Sequence, residues 1–314
     1  MSSAGLVDLH HHLVPDAYRA ALVRAGAGTV GGIPLPPWEA GSMLERMDRL
    51  GIERAVLSVS APALLPAAPG ERTTLARLCN DEAAELVAAH PGRLGAFALL
   101  PLPDVDGALH EIDRALGSLG LDGVSLLTNY EGRYLGHEAL RPVLEELDRR
   151  AAVVHVHPNL PPPMRDAELL LPAPVLEFTF DTTRAVADLI AGEVLDRCPD
   201  VRFVLSHLGG SLPFLAHRLS MLDAVPSGAT PARPRTTVLA QLRRLHYDVA
   251  LSGSPANLHF AAEVVGIERL VYGSDTPFAP PPFVEAGARV LAELPDAERA
   301  AIGRANALRL LGQS

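Results

Sequence analysis

Eight short apolar runs, separated by stretches of helical periodicity, limit what this chain of 314 residues can fold into. They lie at 6–12 (LVDLHHH), 54–60 (RAVLSVS), 94–101 (LGAFALLP), 122–129 (DGVSLLTN), 152–158 (AVVHVHP), 202–208 (RFVLSHL), 245–251 (LHYDVAL) and 269–275 (RLVYGSD). Most are continuous rather than alternating, the pattern of parallel strands buried on both faces. Helical periodicity fills 42–50, 71–89, 105–118, 137–149, 181–196, 211–223 and 283–293, and 296–311 reads as closing helices. The alternation predicts an α/β protein, a (β/α)₈ TIM barrel with C-terminal closing helices, in which residues 1–314 form a single domain. A doubly wound open sheet is the competing architecture, but no glycine-rich phosphate loop follows any run. Two segments read as loops near the barrel mouth: Gly/Pro-rich 26–40, and 159–177 with Pro161-Pro162-Pro163.

Composition removes several classes of function. The formal net charge is −10 with no strongly basic stretch, which argues against nucleic acid as a partner. No uninterrupted apolar stretch is long enough to cross a bilayer, and Met1-Ser2-Ser3-Ala4-Gly5 lacks the features of a secretory signal. Cys79 and Cys198 are scattered and fit a reducing cytoplasm, the expected location. All 27 basic residues are arginine. Without lysine there is no Schiff base, no pyridoxal phosphate anchor and no carboxylated lysine to bridge two metals, so any metal site is expected to hold one ion.

The first run ends in His10-His11-His12. In a strand, residues i and i+2 point the same way, so His10 and His12 project together and make half of a metal site. Other strand ends carry similar chemistry. His155 and His157 share a face of 152–158, Ser206-His207-Leu208-Gly209-Gly210 closes the sixth run, and Gly273-Ser274-Asp275-Thr276-Pro277-Phe278 closes the eighth. Each has an ordinary use: His157 as a hydrogen-bonded core residue, Ser206-His207 as part of a tight turn, Asp275 as a helix cap. Barrel sites gather at strand C-termini, however, and all these groups converge on one mouth. Three imidazoles and a carboxylate suit zinc, manganese or iron.

These motifs resemble the amidohydrolase superfamily, in the branch of aminocarboxymuconate semialdehyde decarboxylase and γ-resorcylate decarboxylase. They fall in that family's order over nearly the whole chain. The similarity to 6-methylsalicylate decarboxylases is closer still, carried by Asp8-Leu9-His10-His11-His12, Leu57-Ser58-Val59-Ser60-Ala61-Pro62, Tyr134-Leu135-Gly136-His137 and Phe180-Asp181-Thr182-Thr183-Arg184. The resemblance implies His10, His12, His157 and Asp275 as ligands of one divalent metal, zinc first and manganese second, with His207 unligated beside it. It also implies non-oxidative decarboxylation of a small aromatic acid of the ortho-hydroxybenzoate kind. In the semialdehyde decarboxylases an arginine contacts substrate just before Glu-Met-Asp; here Leu44-Glu45-Arg46-Met47-Asp48 puts glutamate at that point, which disfavours a muconate.

On this reading Asp275 and His207 are the catalytic pair, Asp275 carrying a proton to the ring carbon that bears the carboxylate. Arg218 is a candidate for the substrate carboxylate, or a helix-surface arginine; Trp38 and Phe278 are candidates for the pocket wall. A mononuclear hydrolase of a lactone, ester or amide needs the same residue types and is the alternative. A catalytically silent binding barrel is a third reading. Related decarboxylases are often dimeric, so a homodimer is a possible assembly.

Overall fold

The computed structural model describes residues 5–161, 164, 170–224 and 236–313. Residues 1–4 and the middle of the proline-run segment, 162, 163 and 165–169, lie outside the described residues. All eight apolar runs form strands: β1 (Leu6–Leu13), β2 (Ile52–Val59), β3 (Leu94–Leu99), β4 (Gly123–Leu127), β5 (Val153–His157), β6 (Arg202–Leu205), β7 (His246–Asp248) and β8 (Leu270–Val271). They pair in parallel in chain order. The last strand returns to the first: Leu9 N–H donates to the Tyr272 carbonyl (3.0 Å), Asp275 N–H to that of His10 (2.8 Å), and His12 N–H to that of Thr276 (2.7 Å). The sheet is thereby closed into the expected barrel.

Helices ring the outside: α1 (Asp16–Arg24), α2 (Ala40–Leu50), α3 (Pro69–Ala89), α4 (Val105–Ile112), α5 (Arg141–Arg149), α6 (Ala173–Ala191), α7 (Leu212–Leu219), α8 (Pro255–Val265) and α9 (Pro281–Glu293). Their starts follow local chemistry. Side chains of Glu39, Asp104 and Ser254 accept backbone N–H bonds at the first turns of α2, α4 and α8. Prolines occupy the opening turns of α3, α6 and α9.

Two expectations change. Segment 26–40 is not all loop: Thr29–Val30 and Ile33–Pro34 make a small hairpin around Gly31 and Gly32, both at positive φ. The helix expected over 181–196 begins earlier, at Ala173, because Pro174 is pre-set for a first turn and the Ala173 N–H docks on the Gly31 carbonyl (3.0 Å).

The barrel interior is layered. Val7, Leu9, Val56, Phe97, Val153, Val204 and Val271 pack with Ala307 and Leu310 of the closing helices to form an apolar floor. Each valine, leucine and phenylalanine side chain among them contributes roughly 1.5–3 kcal/mol by leaving water. Above it lies a fully buried polar layer with His10, His12, His155, His157, Ser58, Ser206 and Asp248.

The change from floor to polar layer on β1 requires a break in alternation. Val7 and Leu9 face the floor, so strict alternation would aim His11 inward and His10 and His12 out towards the helices. Against β2, Asp8 pairs with Ala55 and His11 with Leu57, three steps on one strand against two on the other. This bulge reverses the phase and turns His10 and His12 inward. Asp8 locks it: one oxygen accepts the backbone N–H groups of His10 and Ser274 (3.0 Å each), the other the Ser274 hydroxyl (2.6 Å) and His11 Nδ1 (2.9 Å).

Gly273 leaves the room these side chains need. A Cβ there would lie 2.8 Å from the His10 Cβ and 3.1 Å from that of Asp248. Gly273→Ala is therefore expected to destabilise the protein by about 1–3 kcal/mol. Gly287→Ala, on α9 with open space around its Cβ, is expected to stabilise by about 0.5–1 kcal/mol. Urea midpoints of the two variants, moving in opposite directions, check this.

Candidate metal centre

Three strand ends, those of β1, β5 and β8, bring His10, His12, His157 and Asp275 together, all buried, with one ligand-type atom of each within 4.8 Å of the others. Their ring orientations follow from the oxygens behind them. His10 Nδ1 donates to Asp248 Oδ2 (2.8 Å), His12 Nδ1 to the Ser58 carbonyl (3.1 Å) and His157 Nδ1 to the Pro158 carbonyl (2.8 Å). An oxygen of this kind only accepts, so each Nδ1 carries its proton and each Nε2 is left to point at the common centre.

There the Nε2 atoms of His10 and His12 stand 3.0 Å apart, and Asp275 Oδ1 lies 3.0 Å from His12 Nε2 and 3.4 Å from His10 Nε2. Two lone pairs facing each other at that distance need a cation between them. Without a metal the cation is a proton. Burial by itself would depress His10, but the charges of Asp248 and Asp275 outweigh it and raise His10 to about 10. Burial lowers His12 and drives His157 well down, the latter reinforced by the neighbouring His12 and His10. Burial opposes the ionised form of Asp275, yet His10, His12 and His207 hold it well below the usual carboxylate range. A divalent ion supplies the same positive charge to three imidazoles already presenting their lone pairs, so the donor set fits one.

Asp275 is shared. Its Oδ1 faces the imidazole cluster, and its Oδ2 lies 3.3 Å from His207 Nε2. Asp275 (φ +57°), His207 (+55°) and Leu208 (+58°) are all left-handed, a strained conformation for non-glycine residues, concentrated here at the mouth.

The sequence reading missed Asp248. It is fully buried, and its Oδ1 accepts the N–H groups of His207 and Ala250 (3.0 Å each) while Oδ2 takes His10. One carboxylate thus orients both the first imidazole and the turn carrying His207. The available signal was an aspartate ending the apolar run His246-Tyr247-Asp248. His155 sits behind it, stacked on Phe97, with Nε2 3.2 Å from Ser206 Oγ and 3.7 Å from Asp248 Oδ2.

A cavity of about 290 Å³ opens over the centre. Ser60, His157, His207 and Asp275 form its polar base; Val30, Ile33, Phe178, Leu251, Phe278 and Phe283 are among its apolar walls. Phe278 also meets His12 edge-on, with ring centroids 5.4 Å apart. The other two substrate-contact candidates are not brought to it. Arg218 lies exposed on α7 and does not line the cavity. Trp38 packs against the core, and its Nε1–H donates to the His12 carbonyl (3.1 Å). The Phe180–Arg184 motif acts nearby, where Asp181 accepts from Thr128, Asn129 (2.9 Å) and Tyr134 (2.7 Å) and ties the β4 loop to α6.

A barrel of this construction can hold one divalent ion at its mouth, the arrangement of a mononuclear metal-site barrel. The chain belongs to the amidohydrolase family, whose model matches residues 7–313. It is 40% identical over 290 residues to decarboxylase yanB of Aspergillus niger, covering 87% of this chain and 77% of that one. To the 6-methylsalicylic acid decarboxylase acuB of Aspergillus aculeatus it is 37% identical over 314 residues, covering 97% and 95%. A crystal structure of an amidohydrolase II superposes with a TM-score of 0.90 at 29% identity, covering 98% of this chain and 100% of that one. Family and fold agree with the resemblance read from the motifs.

Two outcomes follow. Asp248→Asn is expected to weaken divalent-metal affinity about 10–100-fold, measured by competition with a chelator. In the metal-free protein, burial pushes His155 and His246 down to about 4. The unfolded chain then binds more protons on these two imidazoles below the ordinary value of 6.5, so their contribution to stability is full above that pH. It falls as pH drops from 6.5 to 4, by up to roughly 3 kcal/mol for each imidazole. Urea midpoints across that window check the sign.

Proposed function

We propose that the protein is a metal-dependent, non-oxidative decarboxylase of an ortho-hydroxybenzoate-like acid. The observation that carries this is the placement of the Asp275–His207 pair at the base of an apolar cavity, beside the imidazole cluster. The decarboxylase names of the two relatives support it. His10, His12, His157 and Asp275 would hold the ion, zinc by preference for this donor set and manganese second. When bound, a divalent ion supplies charge for the phenolate and one carboxylate oxygen of the substrate and fixes their orientation.

The chain's own residues handle the proton. Asp275 takes the phenol proton on Oδ2, with His207 Nε2 3.3 Å away to steady it. The phenolate pushes electron density into the ring, and Asp275 returns the proton to the ring carbon bearing the carboxylate, giving a cyclohexadienone. The bond from that carbon to the carboxylate then breaks; its electron pair restores the aromatic phenolate, and CO₂ leaves. A solvent proton neutralises the phenolate, so one proton is consumed per turnover.

The walls select the substrate. Apart from Ser60, Thr179, Ser252 and the residues of the candidate site, the described lining of the cavity is apolar. A single-carboxylate ring with an apolar substituent suits Phe178, Leu251 and Phe278. The reading treats residues 1–314 as a single cytoplasmic barrel, acting alone or as a homodimer.

Incubation with 6-methylsalicylate and related ortho-hydroxybenzoates, following CO₂ and ring absorbance, tests the reaction. Turnover is expected to disappear on chelation and return on adding zinc or manganese. Asp275→Asn is expected to lower kcat at least about 100-fold. Cleavage of lactones or anilides with no CO₂ from any hydroxybenzoate would instead identify a hydrolase.

A further inference from the structure

At the opposite end of the barrel, three neighbouring strands begin with cationic or imidazole side chains. Arg202 opens β6, His246 opens β7, and Arg269 immediately precedes β8. Sheet order places them side by side. With Arg244 and Arg309 they line a cleft of about 510 Å³ whose only carboxylate, among the described residues, is Glu268. None of the four guanidinium groups has a carboxylate within 4.0 Å among those residues. In a chain of net charge −10 this concentration of unpaired positive charge runs against the overall balance.

The guanidinium groups are held, but not neutralised. Arg202 donates to the Ala151 carbonyl through Nε (3.0 Å) and to the Leu310 carbonyl (2.5 Å). Arg244 donates to the carbonyls of Leu195 (2.7 Å) and Pro199 (2.9 Å). These contacts fix the forks in place while leaving their charge uncompensated. Arg269 Nε and His246 Nδ1 are buried with no hydrogen-bond partner. Burial, followed by the neighbouring Arg269, keeps the His246 imidazole neutral, so it adds no charge of its own to the cleft.

We propose that this cleft binds a phosphate-bearing small molecule, its phosphate held by Arg202, Arg244 and Arg269. Planar guanidinium forks match phosphate oxygens bidentately, and a multivalent oxyanion relieves the repulsion among the arginines. The cleft has room beyond a single phosphate, and Leu195 and Phe203 give it apolar wall for an organic part. The site is separate from the mouth, so it holds whether or not the decarboxylase reading does.

Thermal unfolding at fixed ionic strength, with chloride exchanged for inorganic phosphate or pyrophosphate, tests the site. A saturable rise of several degrees is expected, larger for pyrophosphate. The variant Arg269→Gln/Arg309→Gln removes two charges that hold no backbone carbonyl; it is expected to fold and to lose the saturable part. Arg269→Gln alone is expected to weaken the apparent affinity about tenfold. General salting effects of phosphate persist in the double variant and are subtracted by it. No rise beyond chloride, an equal rise in the double variant, or an equal rise with citrate overturns the proposal.

Discussion

One buried carboxylate holds the mouth of this barrel in order. Asp248 is wholly removed from water, a position that is expensive for a charge unless it is fully hydrogen-bonded. Its donors are the ring of His10 and the main-chain N–H groups of His207 and Ala250. The same atoms that offset its burial therefore decide where His10 points and where the turn after β6 places His207. Asp8 does comparable work on the other side of β1, joining the bulge to the backbone before Asp275. Two carboxylates that touch neither the cavity nor the cluster centre thus set the geometry of the groups that do.

Stability and chemistry are divided along the barrel axis. The floor is aliphatic and sealed by Ala307 and Leu310. The polar layer above it gives up packing for imidazoles and hydroxyls, and backbone strain at His207, Leu208 and Asp275 adds to its cost. Burial at the floor offsets that cost. The left-handed turns bring the His207 and Asp275 side chains to within hydrogen-bonding distance.

Much of this was legible in the chain. Continuous apolar runs identify buried parallel strands wherever they fall, and all eight do so here. Polar residues ending such runs, as in His155-Val156-His157 and Gly273-Ser274-Asp275, stand out because nothing in a hydrophobic core explains them. What stayed hidden depends on angle rather than spacing. Which face of β1 turns inward is decided by a bulge that no periodicity records. Arg218 lies close in sequence to His207, but the rotation of α7 leaves it in solvent. Trp38 spends its N–H on the His12 carbonyl instead of facing the cavity. Asp248 was overlooked because a lone aspartate closing a strand has no partner within its own motif.

The extra residue in β1 uncouples the two ends of that strand. Below it, side chains answer to a close-packed interior and can drift among aliphatic types as long as volume is conserved. Above it, they answer to the geometry of the imidazole and carboxylate cluster. A deletion at this point would leave composition and hydropathy almost unchanged, yet would swap the inward and outward sets of everything downstream. The register of a single strand, rather than the identity of its histidines, is where this active centre is most fragile.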